Sequence, residues 1–144
     1  GLGDVYKRQV VDLDLYQTLN GFVKKAFEQY TSVYSGILQN NDPVSTWTTK
    51  VQKTKAGGGY HQWHCENGQF LYRDRVLAWM VYLNTVPSQS GGGTDFLHQK
   101  LTLQPEAGTI VLWPASYTHV HRGGFLTGNV DKYIATGWFI REPT

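Results

Sequence analysis

The sequence predicts a mainly β fold, a jelly-roll core with one supporting helix near the N-terminus, and three observations carry that expectation. Apolar residues recur at helical spacing in one stretch, from Leu19 to Val33. Most of the chain beyond that helix reads as short strand-like pieces separated by turn material, at the spacing of an all-β sandwich or barrel. One of those pieces, Arg75 to Asn84, is apolar on both faces and so belongs in the middle of a sheet. A helix succeeded by many short strands favours a jelly-roll.

The chain of 144 residues is long enough for one sizeable core and needs no second domain. A net charge of +2 and no long Lys/Arg run give no reason to expect nucleic acid as a partner. Cys65 is the sole cysteine, so no internal disulfide is possible. That absence favours a reducing compartment and a cytoplasmic location. No apolar run reaches spanning length, so no membrane partner is expected either.

Taken in order, Asp4-Val5-Tyr6-Lys7-Arg8-Gln9 resembles the translation of a sequencing adapter, so residues 1–9 are expected to be a non-native tail and carry no weight in the fold prediction. The native part, residues 10–144, is then one N-terminally truncated domain beginning near Val10. Phe22, Val23, Ala26, Phe27, Tyr30 and Val33 mark one face of the helix, and Gly36 is a plausible stop. Asn40 to Pro43 is a turn, and Trp47 to Lys53 alternates like a strand. Ala56-Gly57-Gly58-Gly59 leads into an expected strand around His64, and Asn67-Gly68 turns the chain toward Arg75. After the loop from Pro87 to Gly93, strands are expected at Thr94–Leu97, Leu101–Leu103, Thr109–Trp113, His119–His121 and Lys132–Ile140. No internal repeat is visible.

Chemistry concentrates at His64-Cys65-Glu66. On an extended strand, residues two apart leave the same face, so His64 and Glu66 can converge on one ion. The missing third ligand is expected from a second histidine-bearing strand, where His119 and His121 would also share a face. Two histidines and one carboxylate with open positions opposite is the arrangement of non-haem Fe(II) oxygenases. Cys65, between the two ligands, is expected to face away and pack.

Further segments stand in a fixed order: Arg75 through Tyr82-Leu83-Asn84, Gly92-Gly93-Thr94-Asp95-Phe96, Gln104-Pro105-Glu106-Ala107-Gly108, Val111-Leu112-Trp113-Pro114, His121-Arg122-Gly123, and Lys132 through Thr136-Gly137-Trp138. From about Gly57 to Ile140, this order resembles the prolyl 4-hydroxylase-like branch of the 2-oxoglutarate and Fe(II)-dependent oxygenases. The resemblance implies a double-stranded β-helix with Fe(II) near one end of the barrel. It also implies oxidative decarboxylation of 2-oxoglutarate to succinate and CO2, coupled through O2 to hydroxylation of an unactivated C–H bond. Peptidyl proline is the first expected substrate, a free amino acid or other small molecule the second. Ascorbate is allowed as an accessory.

Residue by residue, His64 and Glu66 match the family's His-x-Asp pair, with Glu where Asp is usual. The extra methylene keeps a hard oxygen donor and moves it about one carbon–carbon bond further from the backbone. Counting from Trp113-Pro114 favours His119 as third ligand. Matching His121-Arg122-Gly123 to the family's His-x-Gly favours His121, which is taken as the ligand with His119 as the alternative. Lys132 matches the basic residue that pairs with the distal carboxylate of 2-oxoglutarate. Tyr82 and Thr136 are its expected companions, with core packing as the competing role. Arg75, Arg122 and Trp138 are candidates for the substrate side, while His61 and His98 are expected to be structural or exposed. The rival from another class is a cupin-like metal-binding jelly-roll that does not use 2-oxoglutarate and would have no need of Lys132. A disabled binding domain is a third reading, for which Glu66 is the only hint.

Overall fold

The helix begins earlier than its apolar face suggests. In the computed structural model, which describes residues 5–9, 12–41, 43–46 and 48–142, α1 runs Leu13–Val33 with Asp12 as its cap, the Asp12 carboxylate accepting from the Leu15 N–H at 2.8 Å. A cap of this kind satisfies one of the free N–H groups of the first turn. The first turn carries no apolar stripe, since Leu13 and Leu15 are exposed, which is why periodicity locates only the part from Leu19 onward. Leu19 and Val23 supply the fully buried contacts, with Phe27 and Tyr30 packed beside them, whereas Phe22 and Val33 face solvent. The proposed start of the native chain near Val10 lies outside the described residues. So do Asp42 of the expected turn and Trp47 of the expected strand.

The strands are β1 (Val5–Gln9), β2 (Val44–Ser45), β3 (Thr49–Thr54), β4 (Arg75–Tyr82), β5 (Thr94–Phe96), β6 (Leu101–Leu103), β7 (Ile110–Pro114), β8 (His121–Gly123) and β9 (Lys132–Arg141). They form two antiparallel sheets. The larger has the order β1-β3-β9-β4-β7, with β2 also pairing β9, and the smaller has the order β6-β5-β8. Two antiparallel sheets with one supporting helix give the mainly β jelly-roll that the sequence predicts. Val5–Gln9 pair along β3 at the edge of the larger sheet. No helix among the described residues is long and apolar enough to cross a membrane.

β4 and β9 explain how the sheet serves two purposes. On β4, Leu77, Trp79 and Val81 point to the helix side, where they meet Leu19, Val23, Ala135 and Phe139. Ala78, Met80 and Tyr82 point the other way, toward Phe96, Trp113, Ile134 and Trp138. Both faces are thus covered, as the doubly apolar composition of Arg75–Asn84 requires. Gly137 makes the close pairing possible. A Cβ there would run into the Trp79 ring and come within 2.6 Å of the Thr48 carbonyl. On β9, Lys132, Ile134, Thr136 and Trp138 share the inner face, and that alternation aims them into the space between the sheets.

Two expected strands near the site take other forms. His64 to Glu66 is not a strand: His64 makes a single bridge to His121, its N–H donating to the His121 carbonyl at 3.1 Å and its carbonyl accepting the reverse bond at 2.9 Å. Glu66 then leaves the ladder, its N–H donating to the Ala115 carbonyl at 2.9 Å. Tyr117–His119 folds as a 3-10 turn, closed by the His119 N–H on the Ser116 carbonyl at 3.0 Å, and the strand begins only at His121. His119 and His121 therefore do not share a strand face.

Candidate active site

His121 opens β8 and is buried against Phe96 and Trp113, the Trp113 ring meeting it edge-on at 4.9 Å. The bridge to β8 carries His64 alongside it, the two imidazole centroids lying 4.3 Å apart. Glu66, held at the end of β7 by the Ala115 carbonyl, reaches back to both rings. Its Oε1 is 3.0 Å from His121 Nε2 and 3.3 Å from His64 Nε2. One ligand atom from each of His64, Glu66 and His121 lies within 4.8 Å of the others, and no other such group of His, Cys, Asp or Glu occurs among the described residues.

The rings are oriented by their own backbone. His64 Nδ1 sits 2.9 Å from the Gln62 carbonyl, and His121 Nδ1 sits 2.9 Å from the His119 carbonyl. A carbonyl only accepts, so each Nδ1 carries a proton, and each Nε2 faces Glu66 Oε1, donating a hydrogen bond to it when protonated and offering a lone pair to a metal ion when not. Three ligand atoms gathered this closely can share one divalent ion. Two imidazole nitrogens and a carboxylate oxygen suit Fe(II).

Glu66 is fixed at both oxygens. Oε2 accepts from Trp138 Nε1 at 2.7 Å and lies 3.6 Å from Arg75 Nη1. Burial alone would raise this carboxyl, but the ring contacts of His121 and His64 and the Trp138 N–H outweigh it and hold the group well below the ordinary carboxylate range. Arg75 and Trp138, expected on the substrate side, thus both face the Glu66 carboxylate. Arg122 pairs with Asp95 at 3.0 Å and lies over the Trp63 ring at the cavity rim.

The three residues open onto a cavity of about 300 Å³ whose wall includes Lys132, Thr136, Thr94, Arg75 and Trp138. Lys132 is the notable charge. It is 6% exposed and its ammonium donates to the Gly92 carbonyl at 2.6 Å. No carboxylate among the described residues lies within ion-pair distance of it, and burial lowers its pKa from 10.5 to about 8. Asn84 fixes the start of its strand, donating to the Asp131 carbonyl at 2.8 Å and accepting from the Tyr133 N–H at 2.7 Å.

The remaining candidates divide. Thr136 lines the cavity, its hydroxyl accepting from Gln52 Nε2 at 2.8 Å. Tyr82 does not reach the cavity wall. It is fully buried, with its hydroxyl 2.7 Å from Thr94 Oγ1 and 3.3 Å from the Leu103 carbonyl, and burial raises its pKa. Thr94 is the hydroxyl that lines the cavity from this side; the sequence places it in a motif without a role. His119 stays outside the cluster, its Nδ1 3.0 Å from the Thr118 hydroxyl. Burial, then the nearby His121 and His98, lowers its pKa. His119 contributes only its main-chain carbonyl, which orients His121. His61 stacks on Phe125 at 3.7 Å, His98 is exposed, and Cys65 lies on the cavity wall outside the ligand group.

The fold occurs in known proteins. The model of the 2OG-Fe(II) oxygenase superfamily matches residues 49–140, more than half of the chain. No curated protein matches by sequence. Among solved structures, the chain is similar to the viral collagen prolyl hydroxylase vCPH from Paramecium Bursaria Chlorella virus-1 in complex with 2OG. The TM-score is 0.76 at 18% identity, covering 96% of this chain and 80% of that one. It is also similar to a Pseudomonas putida prolyl-4-hydroxylase, with a TM-score of 0.69 at 18% identity over 96% of this chain and 73% of that one. A third neighbour is a prolyl hydroxylase from Trichoplax adhaerens in complex with a hypoxia inducible factor peptide fragment. Its TM-score is 0.66 at 16% identity over 97% of this chain and 64% of that one. Identities this low establish the fold.

Proposed function

This chain belongs to the 2OG-Fe(II) oxygenase superfamily, and we propose that it is an Fe(II)- and 2-oxoglutarate-dependent dioxygenase that hydroxylates peptidyl proline. The single observation that carries the reading is one cavity holding both a two-imidazole, one-carboxylate cluster and a buried lysine without a carboxylate partner among the described residues. A metal-only jelly-roll explains the first feature and leaves the second without purpose. Burying an ammonium costs stability unless something anionic meets it.

In this reading His64, Glu66 and His121 hold Fe(II), which when bound supplies the redox chemistry that couples decarboxylation of 2-oxoglutarate to oxidation of a C–H bond. The protein's own residues do the positioning. The two Nδ1–H···O=C bonds keep both Nε2 lone pairs available without any rearrangement. Lys132 takes the distal carboxylate of 2-oxoglutarate, with Thr94 and Thr136 hydroxyls on the same wall. Apolar neighbours such as Ile134 and Trp113 exclude water, which strengthens that ion pair. Tyr82 acts one step removed, by holding Thr94.

A peptide substrate is supported by the surroundings of the mouth. Phe70 and Leu71 are 76% and 81% exposed beside Tyr72, which lines the cavity. Such a surface suits an extended chain better than a free amino acid. Two neighbours of the same fold are a viral collagen prolyl hydroxylase and a prolyl hydroxylase in complex with a hypoxia inducible factor peptide fragment. The test is incubation with Fe(II), 2-oxoglutarate and a panel of proline-containing peptides and free amino acids, reading succinate and the gain of one oxygen by mass. Oxidised peptide supports the reading. Succinate coupled only to a free amino acid would move the substrate to the second class, and no succinate with any of them would remove the enzyme.

A further inference from the structure

We propose that Trp138 and Arg75 are positioning residues that restrict Glu66 to offering one oxygen, Oε1, to the metal, and so accommodate a glutamate at this position. The inference rests on the ligand role given to Glu66 above. It starts from a division of labour at the carboxylate. Oε1 faces His121 Nε2 at 3.0 Å and His64 Nε2 at 3.3 Å, while Oε2 accepts the Trp138 N–H at 2.7 Å with Arg75 Nη1 at 3.6 Å. Carboxylates bind cations through one oxygen or through both. A two-oxygen mode would fill a position that the open face of a two-histidine, one-carboxylate site has to keep free. An oxygen already engaged by an indole N–H and facing a guanidinium is the one held back.

The holding group is itself rigid. The Arg75 guanidinium lies over the Tyr72 ring at 3.9 Å and over the Trp138 ring at 3.7 Å, and its Nη1 donates to the Glu66 carbonyl at 3.3 Å. Lys50 lies over the Trp138 ring at 5.1 Å. Tyr72, Arg75, Trp138 and Lys50 thus form a continuous stack from the turn after Glu66 to β3, and it grips Glu66 by main chain and side chain together. Each such cation–ring contact is modest alone, but in series they fix where the indole N–H points. A glutamate has one more side-chain torsion than an aspartate, so it has more freedom to lose and more need of an external restraint.

Side-chain length makes the restraint testable. Shortening Glu66 to aspartate withdraws the carboxylate by about 1.5 Å, which takes the 2.7 Å bond to Trp138 beyond hydrogen-bonding reach. Trp138 should therefore matter to metal binding when residue 66 is glutamate and hardly at all when it is aspartate. The experiment measures affinity for Co(II), which needs no turnover, together with its visible absorption, which reports the number and arrangement of ligands. The four chains are the unsubstituted protein, Trp138→Phe, Glu66→Asp and the double variant.

With Glu66 present, Trp138→Phe should weaken Co(II) binding by about tenfold or more, the usual range for a partner of a metal ligand, and should alter the absorption band. In the Glu66→Asp background the same change should alter affinity by less than about twofold. Equal losses in both backgrounds would mean that the indole merely packs, and no loss in either would mean that Oε2 needs no partner. Both results overturn the proposal while leaving the metal site intact. Failure of the unsubstituted chain to bind Co(II) would instead overturn the ligand assignment beneath it. If Trp138→Phe does not fold, Arg75→Gln carries the same comparison, since it removes the second group facing Oε2 and keeps the indole.

Discussion

Replacing Lys132 by methionine separates a role in binding from a role in folding, because the structure predicts opposite signs for the two. The ammonium is 6% exposed, hydrogen-bonds the Gly92 carbonyl at 2.6 Å, and has its pKa lowered by burial from 10.5 to about 8. A lowered lysine pKa is a cost to the ligand-free fold. Above pH 10.5 the group is neutral folded and unfolded and the cost is absent. As pH falls, the unfolded chain takes up the proton first and stability is lost, until below pH 8 the full amount is present. A shift of this size corresponds to roughly 3 kcal/mol. Methionine removes that cost but leaves the Gly92 carbonyl without its donor, which takes back about 1 to 3 kcal/mol. The ligand-free variant should then be as stable as the wild type or up to about 2 kcal/mol more stable at neutral pH. Its affinity for 2-oxoglutarate should fall by one to two decades, the equivalent of a charge-assisted hydrogen bond of about 1.5 to 3 kcal/mol. Thermal unfolding without ligand checks the first sign. Titration calorimetry with Mn(II) in place of iron, so that no turnover consumes the ligand, checks the second. Wild-type affinity should also decline above pH 8 as the free lysine loses its proton. Unchanged 2-oxoglutarate affinity in the variant, with a lower unfolding temperature, would make Lys132 a structural residue and end its assignment to the cosubstrate.

Two other outcomes follow from the geometry. His121→Ala should abolish tight Fe(II) binding, whereas His119→Ala should retain most of it because only the main-chain carbonyl of His119 orients His121; metal titration of both variants decides this, and equal retention in the two would overturn the assignment. Gly137→Ala should destabilise the fold by about 1 to 3 kcal/mol, measured by denaturant unfolding, since the added methyl meets the Trp79 ring and the Thr48 carbonyl.

Where local patterning and tertiary role coincide, the fold is legible in the sequence. Arg75 to Asn84 is apolar on both faces because β4 lies inside a sheet covered on both sides, and Lys132 shares a face with Thr136 because a strand has period two. His64 and Glu66 converge as expected, but through a single bridge and a departure from the ladder, and one bridging residue leaves no alternation to read. The pair His119 and His121 is ambiguous for a related reason. A 3-10 turn of three residues has no signature beyond its closing hydrogen bond, so extended and turned readings look alike in sequence. The N-terminal turns of α1 escape periodicity because their signal is a cap, Asp12, and not an apolar stripe. For Tyr82 the residue type suits a ligand contact and a core contact equally. Only packing reveals that its hydroxyl is held by Thr94. Arg75 and Trp138 stand out as functional candidates, yet their contact with Glu66 joins parts of the chain that no local spacing relates.

Whether this cluster makes the chain a working oxygenase, with glutamate as its carboxylate ligand, is decided by Fe(II)-dependent formation of succinate from 2-oxoglutarate in the wild type, Glu66→Asp and Glu66→Ala. The expected result is turnover by the wild type, measurable turnover by Glu66→Asp, and loss of both iron and turnover in Glu66→Ala, because two imidazoles alone leave a divalent ion poorly compensated. A silent wild type with activity restored by Glu66→Asp would overturn the assignment, and would make this chain a disabled relative that binds and does not catalyse.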